Sequence, residues 1–217
     1  MSFFSPYEQF PRMHLTHWLL LASVAIAVIF ASIHPLQMGD YLLHQVGTLV
    51  GVILLLFLQW QRRVSMWGFA LTIVFILLHI LGAHYLYSFV PYNEWFIQLF
   101  NFNMNHYFGW SRNMYYRLIH FSYGLLLFKI CYDVFSVGFA QVKPFKVALL
   151  AIQFIMASSM VYEVIEWLLA IGLSPEAAEN YNGQQGDMWD AQKDMLLATV
   201  GALCAATIQR VYALMHK

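Results

Sequence analysis

Residues 40–60 read DYLLHQVGTLVGVILLLFLQW. Past Asp40 the stretch carries no Asp, Glu, Lys or Arg until Arg62 and Arg63 close it. An α-helix needs about 20 mostly apolar residues to cross the hydrocarbon core of a bilayer. A lone segment there must satisfy its backbone groups internally, which a helix does. Working outward, five more stretches share this length and character: residues 15–33, stopped by His34-Pro35; 66–89, stopped by Pro91; 113–137; 144–171, ending at Gly172; and 187–215. The pattern predicts an all-α, polytopic membrane protein of about six transmembrane helices, organised as a single domain over residues 1–217.

Composition points the same way. The chain is 61% hydrophobic and 10% charged, against roughly 25% charged residues in a soluble domain. Its formal net charge is zero and it has no basic run, so the expected partner is the lipid bilayer, with no nucleic acid. Cys131 and Cys204 lie in apolar stretches without a CxxC pair, which argues against a disulfide framework or a thiolate metal site. The first ten residues lack Lys and Arg, and the first apolar run is too long for a signal-peptide core. No cleaved leader is expected.

Lys and Arg in short loops mark the cytoplasmic side. Arg12, Arg62, Arg63, Lys143, Lys146, Arg210 and Lys217 fall on one side, whereas loops 36–39 and 173–186 have no basic residue and connection 92–112 has only Arg112. Both termini are therefore expected in the cytoplasm. All seven tryptophans lie near predicted helix ends, where an interfacial aromatic belt places them.

On that topology, His79, His84, His120, Glu163, Glu166, Asp187, Asp190 and Asp194 gather toward the outer leaflet, inside or beside apolar helices. An ionisable group in a bilayer costs about 2.5–3.5 kcal/mol on insertion scales and is a functional-site hypothesis by default. Asp187, Asp190 and Asp194 are spaced i, i+3, i+7 and share a helical face; so do Glu163 and Glu166 at i, i+3. Two carboxylate faces meeting in an apolar bundle need positive charge between them: a metal ion, the cations Arg117 and Lys193, or protons. Oxygen-rich ligation with one or two histidines suits Mg, Mn, Fe or Zn. The competing reading is structural, with salt bridges fixing helix register and Asp187 capping the last helix. His79 and His84, five residues apart, share a face poorly, and each could instead hydrogen-bond to a neighbouring helix. Lys129 and Asp133, an i, i+4 pair in the cytoplasmic half, read as structural. The loop at Gly183–Gly186 reads as short, flexible and able to fold over the site. It lacks the Lys and Ser/Thr of a Walker loop. The chain has no Gly-x-Ser-x-Gly elbow and no His-Glu-x-x-His helix.

Four stretches resemble the YjdF-like family of bacterial inner-membrane proteins, whose function is unassigned. They are His79-x-x-Gly-Ala-His84-Tyr-x-Tyr-x-x-Val-Pro91, Arg112-Asn-Met-Tyr-Tyr-Arg117-Leu-Ile-His120-Phe, Glu163-Val-Ile-Glu166-Trp, and Gln185-Gly-Asp187-Met-Trp-Asp190-Ala-Gln-Lys-Asp194-Met. More distantly, the C-terminal half looks like the VanZ-like membrane proteins, with Arg117, His120, Glu163, Glu166, Asp190 and Asp194 in matching roles. The family pattern has an acid before the Arg where this chain has Tyr116. The resemblance implies a multi-pass protein of the bacterial inner (plasma) membrane, and the VanZ likeness implies envelope lipid or glycan chemistry by fold-level analogy.

These observations lead to a carboxylate/histidine site near the outer leaflet, with a metal-dependent enzyme acting on a lipid or lipid-linked envelope substrate as the leading function. Its chemistry is left open between hydrolysis and group transfer. Metal ligands would come from His120, Glu163, Glu166, Asp187, Asp190 and Asp194, with His79 and His84 as further candidates. His120, Arg117 and Glu163 are the candidate catalytic residues, with His120 as ligand or general base and Arg117 gripping a phosphate or carboxylate. The alternatives are a proton- or cation-coupled transporter, which needs polar residues through the cytoplasmic half, and a non-catalytic envelope protein.

Overall fold

The computed structural model describes residues 10 and 12–215. Lys217 and the first nine residues, on which parts of the orientation and leader readings rest, lie outside the described residues. Nine helices are found among the described residues: α1 (Leu15–Ala31), α2 (Met38–Trp60), α3 (Met66–His84), α4 (Tyr92–Phe100), α5 (Met104–Phe108), α6 (Tyr115–Gly138), α7 (Pro144–Gly172), α8 (Pro175–Asn182) and α9 (Asp190–Met215). α2, α3, α6, α7 and α9 are long and apolar enough to cross a membrane. α1, at 17 residues, is a shorter apolar helix. The sequence-predicted spans all fall on these six. The short helices α4, α5 and α8 sit in connections read from sequence as loops.

Two boundaries differ from expectation for local reasons. Residues 85–89 stay apolar, so hydropathy continues, but the backbone turns after His84, with Leu86 and Tyr87 both at positive φ (48° and 54°). Such left-handed geometry is uncommon away from Gly and Asn. It folds the Tyr87 ring back onto Gly82, where an added Cβ would lie 2.5 Å from the ring, and packing secures the turn. At the other boundary, α9 starts at Asp190, not Asp187. The Asp187 carboxylate accepts from the Trp189 amide at 3.1 Å, an Asx-type turn that precedes the helix. Asp187 is thus off the helical face shared by Asp190 and Asp194.

α6 is the hub, packing on α3, α7 and α9. Its contact with α9 is the closest, because small residues let the backbones approach. A Cβ on Gly124 would sit 1.8 Å from the Ala198 carbonyl oxygen, and one on Gly201 would sit 2.1 Å from that of Phe121. α1 rests on α3, and α2 packs on α3 and α8. Outward faces carry exposed apolar side chains such as Leu49, Ile53 and Leu196, suited to lipid.

At the end bearing Arg62, Arg63 and Lys143, Asp133 caps α3 from α6. Its Oδ2 accepts from the Ser65 amide at 3.0 Å and the Ser65 hydroxyl at 2.5 Å, while Ser65 Oγ accepts from the Gly68 amide. Lys129 pairs with Asp133, matching the structural reading of that pair. At the opposite end, α8 runs from Ser174, whose hydroxyl caps it, to Gly183 at φ +62°. A side chain on Gly183 would collide with Tyr116, 2.6 Å away. This end carries the site.

Candidate carboxylate–histidine site

α6, α7, α9 and the α8–α9 connection each contribute. α9 presents Asp190 and Asp194, one turn apart, to Arg117 in the first turn of α6. Arg117 reaches Asp190 Oδ1 at 2.6 Å, Asp187 Oδ2 at 3.0 Å and Asp194 Oδ1 at 2.5 Å, and donates to the Asp190 carbonyl at 3.0 Å. Arg112, from the turn before α6, reaches Asp190 at 3.0 Å and Asp187 at 3.4 Å. Lys193 donates to Asp187 at 2.6 Å. That ammonium, helped by the Trp189 amide, holds the Asp187 carboxyl down at about 2. The three aspartates are therefore knit to three cations, and Arg117 is committed to them.

The second layer lies one turn deeper. His120 follows Arg117 by three residues on α6, which puts it on the same face. Its Nδ1 is 3.7 Å from Glu163 Oε1 and its Nε2 is 3.7 Å from Asp194 Oδ2. Both separations exceed hydrogen-bond range. One ion binds an imidazole through a single ring nitrogen, so only one of these separations can be a ligand–ligand edge; it is close to the roughly 3–3.5 Å between ligand atoms around a four-coordinate ion with bonds of about 2.0–2.2 Å. One donor atom from each of His120, Glu163 and Asp194 falls within 4.8 Å of the others. The Glu163 side chain is 9% exposed, and its Oε1 has no hydrogen-bond partner among the described residues. Buried acceptors are almost always satisfied, so this orphaned oxygen, aimed at His120, is where a cation fits.

Glu166 has a different environment. It is buried and accepts from the Tyr116 hydroxyl at 3.1 Å, with the Tyr162 phenol close by. The single Tyr116 O–H is shared with the Tyr181 carbonyl of α8, which lies closer, at 2.6 Å. The position where the resembling family has an acid thus still serves the carboxylate site, through a phenol.

His79 and His84 are not brought into this group. The Tyr87 hydroxyl donates to His79 Nδ1; burial pushes the Tyr87 phenol well above its ordinary value, so it stays an O–H donor. His79 Nε2 lies 3.0 Å from the His44 carbonyl, which the complementary tautomer satisfies. Both ring nitrogens are occupied. His84 Nδ1 meets the Ala31 carbonyl at 2.8 Å and ties α3 to α1.

The 183–187 connection is pinned rather than loose. Gln185 exchanges hydrogen bonds with Asn113, accepting from its amide at 3.0 Å and donating to its carbonyl at 3.2 Å, and Arg112 donates to the Gln184 carbonyl at 2.8 Å. Sequence reading missed the parts played by Arg112, Tyr116, Tyr162, Tyr181 and Gln185. The available signal was the concentration of hydrogen-bonding side chains within the two stretches 112–120 and 181–194.

A cavity of about 600 Å³ continues from the site between α2, α3, α6 and α7, with Tyr116, His120 and Tyr162 at its site end.

A family model described as a predicted membrane protein family, DUF2238, matches residues 16–214. The chain belongs to this family. It is 32% identical over 158 residues to the inner membrane protein YjdF of Escherichia coli strain K12, a match covering 72% of this chain and 71% of that protein. No solved structure matches. The chain is a multi-pass membrane protein, and the family likeness spans both the bundle and the buried His120/Glu163/Asp194 group.

Proposed function

We propose that this protein is a metal-dependent enzyme of the bacterial inner membrane acting on a lipid or lipid-linked substrate of the cell envelope, with His120, Glu163 and Asp194 holding one divalent cation. The observation that carries this reading is the convergence of those three donors around the unpartnered Glu163 oxygen. Charge supports it. Arg112, Arg117 and Lys193 offset Asp187, Asp190 and Asp194, leaving the Glu163 carboxylate with no Lys or Arg partner among the described residues. The bound ion supplies Lewis-acid and water-activating chemistry. Arg117 positions the ligand Asp194, and Arg112 and Lys193 hold the aspartate layer around it. With Arg62, Arg63 and Lys143 cytoplasmic, the site end faces the outer leaflet. The wall of the cavity away from the site is Leu54, Leu58, Leu127, Val134 and Phe135, which favours an enzyme over a carrier needing a polar path.

The test is metal content by mass spectrometry on detergent-purified protein, beside Glu163→Gln/Asp194→Asn. Near-stoichiometric metal that vanishes in the folded double variant is the expected result. A wild type that stays metal-free after incubation with Mg, Mn, Fe or Zn refutes the proposal.

A further inference from the structure

We infer that the cavity between α2, α3, α6 and α7 houses one acyl chain of a bilayer lipid, entering sideways between α2 and α7 and presenting its ester or amide linkage to the His120/Glu163 site. This deepens the function proposed above and rests on it for the chemistry, though not for the binding.

The walls decide the class of occupant. None of the lining residues is Asp, Glu, Lys or Arg; the deep wall is Leu, Ile, Val and Phe. A charged or strongly hydrated ligand would have to shed its water there uncompensated. The volume, about 600 Å³, lies within the roughly 300–1,000 Å³ usual for small-molecule sites. Along α2 the lining runs from Gly47 to Leu58, about 16 Å at about 1.5 Å per residue. That length accommodates a chain of about a dozen carbons with C–C bonds of about 1.5 Å.

The architecture decides the route. α2 packs on α3 and α8, whereas α7 packs on α6, α8 and α9. α2 and α7 thus flank the cavity without forming a close pair, and α3 and α6 back it. α8 contacts both flanking helices and roofs the site end, where Tyr181 stacks on His44 with centroids 4.8 Å apart. With the roof closed and the flanks at hydrocarbon depth, the gap between α2 and α7 meets lipid chains directly. Gly47 and Gly51 keep the α2 wall low.

Two hydroxyls select an acyl linkage over a plain isoprenoid chain. Thr48 Oγ1 and Ser159 Oγ line the cavity from its two flanking helices. Both residues are buried, at 6% and 2% exposure, and both oxygens lack a hydrogen-bond partner among the described residues. In a membrane helix such a hydroxyl ordinarily bonds back to its own helix, as Ser158 does to the Phe154 carbonyl. Ser159 lies one turn below Glu163 on the same face of α7. An ester or amide carbonyl at that level accepts from these hydroxyls while its scissile bond lies against His120; an isoprenoid chain has no such acceptor.

The experiment places the full chain in nanodiscs of phosphatidylethanolamine and phosphatidylglycerol doped with a phospholipid bearing a mid-chain diazirine. Photoadducts are then mapped by peptide mass spectrometry. The expected result is labelling of the buried wall at Leu55, Thr72 and Ile76 in addition to the outward Leu49 and Ile53. In Gly51→Phe, which fills the cavity, the inward adducts fall about tenfold while outward ones stay. Ser159→Leu fills it from the opposite wall and serves if Gly51→Phe is not monodisperse. Adducts confined to outward residues in the wild type overturn the inference. So does preferential inward labelling by a photoreactive polyprenyl phosphate in a parallel sample. Metal binding without inward labelling refutes the chain site alone; inward labelling of a protein that binds no metal refutes the metal reading alone.

Discussion

Replacing Gly201 with alanine tests the close approach that builds the site. The added Cβ would lie 2.1 Å from the Phe121 carbonyl oxygen and 2.7 Å from the Leu125 nitrogen. Both neighbours are backbone atoms of α6, so no side-chain rotation relieves the clash. Reaching an ordinary contact of 3.4 Å requires α9 to retreat by about 1.3 Å. Overpacking of this kind costs about 1–3 kcal/mol, while alanine in place of glycine returns up to about 1 kcal/mol of helix propensity. Because the clash is with backbone atoms the upper part of that cost applies, about 2–3 kcal/mol, and the net expectation is a loss of about 1–2 kcal/mol. Asp194, two turns earlier on the same face of α9, moves with the helix. Its 2.5 Å contact with Arg117 opens toward the limit of an ion pair, and its 3.7 Å separation from His120 grows, so ion affinity falls as well. Unfolding midpoints in mixed micelles titrated with SDS measure the first effect, and divalent-ion titration measures the second. Gly39→Ala, where an added Cβ meets nothing within 4 Å, is the control and should be neutral or slightly stabilising. A Gly201→Ala protein as stable as the wild type, or more so, refutes the α6/α9 packing described above.

Other consequences are simpler to state. Tyr116→Phe removes the hydrogen bonds to Glu166 and to the Tyr181 carbonyl and leaves a buried acceptor short of a donor. A loss of about 1–3 kcal/mol is expected, read as a lower thermal midpoint; an unchanged midpoint contradicts that role. Ser65→Ala removes the α3 cap and should cost about 1–2 kcal/mol with metal stoichiometry unchanged, because the cap lies at the other end of the bundle. Asp187, held down at about 2, contributes stability that is fully present above its unfolded value of about 4. That contribution is lost as pH falls from about 4 through about 2. The gap in thermal midpoint between the wild type and Asp187→Asn should therefore be constant from pH 7 to about 5 and narrow below about 4; a gap that widens on acidification refutes the assignment.

The spans were legible because the bilayer sets their length independently of tertiary detail. Expected residues 144–171 became Pro144–Gly172, and 113–137 became Tyr115–Gly138. The end of α3 was not legible, since Tyr85 to Phe89 continue the apolar run while a buried Tyr87 reverses the chain. In the site, spacing on single helices put Glu163 with Glu166 and Asp190 with Asp194 on shared faces, while Asp187, expected with the latter pair, lies in the turn before α9. Partnership between helices did not follow from spacing. Glu163 and Glu166 share a face, yet one meets His120 and the other meets two tyrosines, a division set by how α7 rotates against α6 and α8. Arg112 and Asp187 lie in turns, where no periodicity announces that their side chains converge. His79 and His84 stood apart from His120 as further candidates, because their five-residue spacing shares a face poorly and left hydrogen bonds to a neighbouring helix as the alternative. Their commitments to Tyr87, to the His44 carbonyl and to the Ala31 carbonyl depend on a turn and a helix pairing that hydropathy does not encode.

Whether His120, Glu163 and Asp194 together hold one divalent ion can be read by pulsed EPR on Mn(II)-loaded protein. The expected result is one tightly bound Mn(II) per chain with a nitrogen coupling from a directly ligated imidazole, absent in a folded His120→Gln variant and retained in His84→Gln. Stoichiometric Mn(II) without nitrogen coupling, or coupling that survives His120→Gln, would contradict it.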